Sequence, residues 1–151
     1  MTDTTENKFT EKSAIPKWFT IVAVLALIWN LMGVMAFISQ VTMSAETMAE
    51  LPQAEQALYT SIPLWASIAF ASAVFGGALA SLALLMKKAI AELLFMVSLV
   101  AVIVQMFHAF VISNSFAVLG ASATIMPTIV VIVAIALVLF CRKAKANNWL
   151  T

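Results

Sequence analysis

The sequence predicts an all-α, polytopic membrane protein: an antiparallel bundle of four transmembrane helices with both termini cytoplasmic. Three observations predict it. The chain has 151 residues, 64% apolar and 10% charged, with a mean hydropathy of +1.06, whereas about a quarter of a soluble domain's residues are charged. Its apolar residues gather into four long runs, each near the roughly 20 residues a helix needs to cross a bilayer. All eight Lys and Arg fall on one side of such an arrangement. This composition excludes a soluble enzyme, a disulfide scaffold and a nucleic-acid binder. Ile129 to Val133 is an unbroken apolar stretch, without the alternation that a membrane β-barrel requires.

Residues 1–14 are polar and predict a disordered cytoplasmic tail. The first span runs over 18–39, broken only by Asn30 and small residues. It is longer than a signal-peptide core and no clear small-residue cleavage site follows it, which predicts a retained helix. Residues 41–62 form the one sizeable extramembrane piece. There Ser44 caps a short helix through Glu50, and Pro52 opens another through Thr60. Met48, Leu51, Leu58 and Ile62 supply an apolar side, with the glutamates and Gln53 turned to water. The segment reads either as an interfacial helix resting on the bilayer or as a recognition lid.

The second span, 64–86, starts after Pro63 and stops at Lys87-Lys88, a turn tight enough to make it an antiparallel neighbour of the third span, 90–112. The fourth is placed at 124–141. From Pro127 to Phe140 a helix rises only about 21 Å, short of the roughly 30 Å hydrocarbon core. A start near Thr124 lets that residue cap the helix and keeps Pro127 in the first turn, where its missing N–H costs little.

The charges orient the bundle. Lys8, Lys12 and Lys17 precede the first span, Lys87 and Lys88 join the second to the third, and Arg142, Lys143 and Lys145 follow the fourth. The opposite side holds Glu46, Glu50 and Glu55 and no cation. The positive-inside rule places the basic side, with both termini, in the cytoplasm. Trp18 and Trp149 then suit the inner interface, Tyr59 and Trp65 the outer one.

Polar residues at depth are the candidate sites, because an unpaired polar group in lipid is costly. Asn30 lies near the midplane on a stripe with Ala23, Ala26, Gly33, Phe37 and Gln40, and serves either as an interhelical hydrogen bond or as a ligand contact. The second span carries a ridge of small residues, Ala69, Ala73, Gly77 and Ser81, flanked by Ser72 and Gly76, which lets backbones approach closely. The depth of Gly76-Gly77 matches that of Asn30, so the first two spans are expected to touch there. On the third span Ser98, Ala101, Gln105 and His108 share a face. Gln105 and His108 either bind a small polar ligand or relay a proton, or form a hydrogen-bonded pair that specifies packing. Glu92 is spaced to pair with Lys88 four residues before it, or else serves as a proton-coupled carboxylate. Cys141 is the only cysteine, so no disulfide forms within the chain. A lone His makes a weak metal site, and no metal ligand set, cofactor motif, phosphate-binding loop or catalytic triad is evident. No enzyme activity, metal or cofactor is expected.

Five strings occur together: Pro16-Lys17-Trp18-Phe19, Trp29-Asn30-Leu31-Met32-Gly33, Pro63-Leu64-Trp65, Val74-Phe75-Gly76-Gly77 and Asn148-Trp149-Leu150. This pattern, which covers most of the chain, resembles a group of small four-helix bacterial inner-membrane proteins of uncharacterised role that genomes often label "sugar transporter". The resemblance implies a bacterial inner-membrane location. Two function classes follow. One is a small integral membrane protein that assembles with itself or serves as accessory subunit of a larger membrane protein. The other is a homo-oligomeric channel or small-solute, sugar-like transporter lined by Asn30, Gln105 and His108. The bilayer is the expected partner in both, and nucleic acid in neither.

Overall fold

The computed structural model describes residues 15–151, which are helical and contain no strand. Four helices are long and apolar enough to cross a membrane: α1 (Lys17–Val41), α4 (Leu64–Leu85), α5 (Ile90–Phe107, continued by a π-helical turn His108–Ile112) and α7 (Ile125–Ala146). At 22 residues α7 is about 33 Å long, enough for the hydrocarbon core. The short helices α2 (Ala45–Ala49), α3 (Gln53–Thr60) and α6 (Ser115–Leu119) lie between them.

The long helices pack in chain order, α1 on α4, α4 on α5 and α5 on α7. Each contact runs antiparallel. Asn30 meets Ser81 while Phe37, further along α1, meets Phe70, nearer the start of α4. Ser98 reaches Ala73, and Glu92 reaches Lys145. No comparable run of contacts joins α1 to α7. Those two meet at the cation-rich end, where Phe140 packs on Trp18 and Phe19 with ring centroids 5.7 and 5.6 Å apart. Most of the core lies in that half, built from Phe19, Ala23, Ala80, Leu84, Phe95, Val138, Cys141 and Trp149 among others. A smaller cluster of Ala73, Ala101 and Val102 occupies the other half.

Two helix ends explain how the cation-rich end closes. After α4, Lys87 adopts φ +58°, and the N–H groups of Lys87 and Lys88 donate to the Leu84 and Ala83 carbonyls at 2.9 and 2.8 Å. After α7, Asn148 adopts φ +57°, and Asn148 and Trp149 donate to Lys145 and Ala144 at 3.0 and 2.9 Å. Both are left-handed caps that satisfy the last carbonyls of a helix. They bring the segment after α7 against the α4–α5 turn. There the Thr151 N–H donates to the Lys87 carbonyl at 2.7 Å, and the Ala89 N–H donates to the Thr151 carbonyl oxygen at 3.0 Å.

The segment between α1 and α4 follows its sequence cues. Ser44 Oγ accepts the Thr47 N–H at 3.1 Å to cap α2, and Pro52 precedes α3. Met48, Leu51, Leu58 and Ile62 are half-buried while Glu46, Glu50 and Gln53 are exposed. Glu55, expected in water, is half-buried.

Several expectations are corrected. Helix α7 continues past Cys141 to Ala146, because Arg, Lys and Ala are good helix formers whatever their hydropathy. Thr124 does not cap it. Its hydroxyl donates to the Ala121 carbonyl within a 3-10 turn, Ala121–Thr124, that leads into the helix. Pro127 sits in the first turn, as expected. Gly120 ends α6 at φ +78°, ψ 179°, a conformation essentially restricted to glycine. Trp149 is buried in the aromatic cluster, so it is a packing residue more than an interface anchor. The predicted tail, residues 1–14, lies outside the described residues.

Glu92 pairs with Arg142 and Lys145 on α7 at 3.4 and 3.0 Å, not with Lys88. Lys88 precedes the first residue of α5, so the four-residue helical spacing does not apply to it. Both cations are more than half exposed, where an ion pair contributes about 0.2–1 kcal/mol. Glu92→Gln is therefore expected to lower unfolding stability by about 1 kcal/mol or less, with the difference shrinking in high salt. Lys88→Ala should leave it unchanged. Chemical unfolding in detergent at two salt concentrations measures both.

Candidate functional site

The open seam between α1 and α7 leads into a cleft of about 380 Å³, walled by all four long helices. The candidates Asn30, Ser98 and Gln105 lie in its lining, together with Gly33, Ala73 and Phe70. A second pocket of about 180 Å³ lies toward the end opposite the cations. Gln40, Glu55, Tyr59, Gln105, His108 and Ser113 contribute to it. Gln105 and Phe70 line both cavities. The structure therefore brings Asn30, Ser98 and Gln105 to one cavity and Gln105 with His108 to the other.

Local chemistry ties up part of this set. Asn30 Nδ2 donates to the Ala26 carbonyl at 2.8 Å and to Ser81 Oγ at 3.2 Å, and Ser81 Oγ donates to the Gly77 carbonyl at 2.8 Å. Ser98 Oγ donates to the Ala73 carbonyl at 2.6 Å. These bonds tie α1 to α4 and α4 to α5, the interhelical role expected for small polar residues in lipid. Gly77 makes the contact possible, since a Cβ there would fall on the Asn30 amide, 2.8 Å from its Cγ, and 3.2 Å from Ser98 Oγ. A Cβ at Gly33 would approach Val74 Cγ1 to 3.0 Å, whereas one at Gly76 would have 3.6 Å to Ser98 Cβ. Ala73 and Ser81 are buried on the same ridge.

Gln105 differs, as none of the side-chain hydrogen bonds among the described residues engages its amide; the bonds of its neighbours run elsewhere. His108 does not pair with it. The π-turn draws Ser113 N–H to the His108 carbonyl at 2.9 Å and sets Ser113 Oγ 3.3 Å from His108 Nε2. Trp65 packs on the imidazole in a T-shaped arrangement, ring centroids 5.1 Å apart at 86°. The expected hydrogen-bonded Gln105–His108 pair is thus replaced by a His108–Ser113–Trp65 group. Sequence reasoning missed Trp65 and Ser113, and also missed Glu55 as a pocket residue. For Glu55 a signal existed, since Glu55, Leu58 and Tyr59 recur at helical spacing on one face of α3.

Among the described residues no group of three or more His, Cys, Asp and Glu side chains comes together to hold a metal. The cleft presents amide and hydroxyl groups set in an apolar wall, suited to hydrogen bonding and burial. No known protein family, curated protein or solved structure matches this chain.

Proposed function

We propose that the protein is a small integral protein of the bacterial inner membrane, with four spans and both termini cytoplasmic, that works within an assembly. Its partner is a further copy of itself or a larger membrane protein to which it is an accessory subunit. The open α1–α7 seam carries this reading. The larger cleft of one copy lies along that seam between α1 and α7, while Trp18, Phe19, Phe140 and Trp149 close the cation-rich end of the same seam. One copy therefore encloses no passage from end to end, and α1 and α7 are the long helices with the smallest buried share.

Cysteines placed at exposed Leu25 on α1 and Ile132 on α7 test this, against a background in which Cys141 is buried. Cross-linking in native membranes is expected to give a ladder of the protein or an adduct with another membrane protein. A single uncross-linked species that is also monomeric by native mass spectrometry would overturn the assembly reading. The place of Gln105 in the lining of both cavities favours a second reading, a homo-oligomeric channel or small-solute transporter lined by Asn30, Gln105 and His108. Liposomes holding the protein would then pass small solutes, and Asn30→Ala with His108→Ala would stop the flux.

A further inference from the structure

The two cavities differ in chemistry. Apart from the Trp29 indole, the polar side chains lining the cleft are Asn30, Ser98 and Gln105, and the first two of these already spend hydrogen bonds within the protein. The outer pocket carries a carboxylate, a phenol, an imidazole and two amides within a smaller volume. Gln105 and Phe70 line both. We infer that the two cavities together form one binding site for a lipophilic cation: an amphiphile whose cationic nitrogen head sits by Glu55 and Tyr59 and whose hydrocarbon tail lies in the cleft.

Charge selects the head. The ion pairs among the described residues are both on Glu92, so Glu55 is half-buried at the pocket and pairs with no Lys or Arg among the described residues. The described Lys and Arg lie at the opposite end of the long helices: Lys17 in the first turn of α1, Lys87 and Lys88 between α4 and α5, and Arg142, Lys143 and Lys145 in the last turns of α7. A half-buried carboxylate attracts a cation more strongly than one in bulk water and repels an anionic head equally. The Tyr59 ring adds a face on which an ammonium gains further attraction.

Shape and polarity select the tail. At about 380 Å³ the cleft is within the range of small-molecule sites, 300–1,000 Å³. One turn of helix, ~10 Å across and ~5.4 Å long, takes roughly 420 Å³, so the cleft does not seat a partner helix. A sugar buried there would find most of its hydroxyls facing apolar wall, each left unpaired at a cost of about 1–3 kcal/mol. A hydrocarbon chain suits the wall and reaches it sideways through the α1–α7 opening. One copy holds the whole site, so the inference stands apart from the assembly reading.

Equilibrium binding of radiolabelled decyltrimethylammonium to the full-length protein in phosphatidylcholine nanodiscs, against empty nanodiscs, tests it. Decyl sulfate and decyl maltoside carry the same tail with an anionic and a sugar head. Saturable binding is expected for the cation alone. Glu55→Gln should weaken it tenfold or more, Glu55→Asp threefold or less, and Glu46→Gln not at all. Ala36→Phe, which fills the cleft from α1, should abolish it, with thermal unfolding checking that the variant folds. If Ala36→Phe fails to fold, the Glu55→Gln and Glu55→Asp pair decides. No saturable binding of the cation, equal binding of all three amphiphiles, or binding indifferent to Glu55→Gln would overturn the proposal.

Discussion

Trp149→Ala is expected to be the most destabilising single substitution, lowering unfolding stability by about 3 kcal/mol. Trp149 is 8% exposed, and its ring lies 5.6 Å from Trp18 and 6.0 Å from Phe19. It follows the left-handed Asn148 cap of α7 and precedes the Thr151 bonds to Lys87 and Ala89. Removing the ring therefore loosens α1, α7 and the α4–α5 turn at once. A second variant separates packing from hydrogen bonding. Trp149 Nε1 is buried without an acceptor among the described residues, and a buried unpaired donor costs about 1–3 kcal/mol. Trp149→Phe removes that donor and keeps most of the aromatic contact. Its stability should fall within about 1 kcal/mol of the parent. Thermal or denaturant unfolding in a mild detergent measures both, and equal losses in the two variants would refute this account of the cluster.

The four long helices were legible because lipid imposes a length and excludes charge, and both constraints are written directly in the chain. The connections were legible where local chemistry announces itself, as at Ser44, Pro52 and Lys87-Lys88. What escaped depends on the path of the backbone between elements. Glu92 has a cation four residues before it and two more some fifty residues later. Only the α4–α5 turn, which leaves Lys88 outside α5, decides in favour of Arg142 and Lys145.

The face of α5 shows the same division. Ser98, Ala101, Gln105 and His108 were grouped by helical spacing, and all but Gln105 are buried. Spacing did not reveal that the helix widens into a π-turn at His108, which turns the imidazole toward Ser113 and Trp65. Hydropathy also cannot tell which pair of long helices fails to close. The open α1–α7 seam, like the place of Gln105 in the lining of both cavities, emerges only from packing.

The double glycine of α4 offers a sharper test, since its two members should respond in opposite directions. Alanine exceeds glycine by about 0.8–1 kcal/mol in a helix interior, so with room for a methyl group the substitution stabilises. Gly76 has that room, its nearest neighbour being Ser98 Cβ at 3.6 Å. Gly76→Ala is therefore expected to be neutral or to stabilise by up to about 1 kcal/mol. Gly77 does not, because the new Cβ would occupy the place of the Asn30 amide. Either α1 moves away from α4 or Asn30 turns and gives up Ser81, and overpacking of this kind costs about 1–3 kcal/mol. The interhelical hydrogen bond accounts for only about 0.6 kcal/mol of that, so most of the loss is steric. It follows that shortening the obstructing side chain should restore stability: Asn30→Ala combined with Gly77→Ala is expected to be more stable than Gly77→Ala alone, although Asn30→Ala by itself destabilises. Unfolding free energies of the four-member cycle give the coupling directly. Additive effects would mean that Asn30 does not occupy the Gly77 notch and that α1 is held to α4 by other contacts.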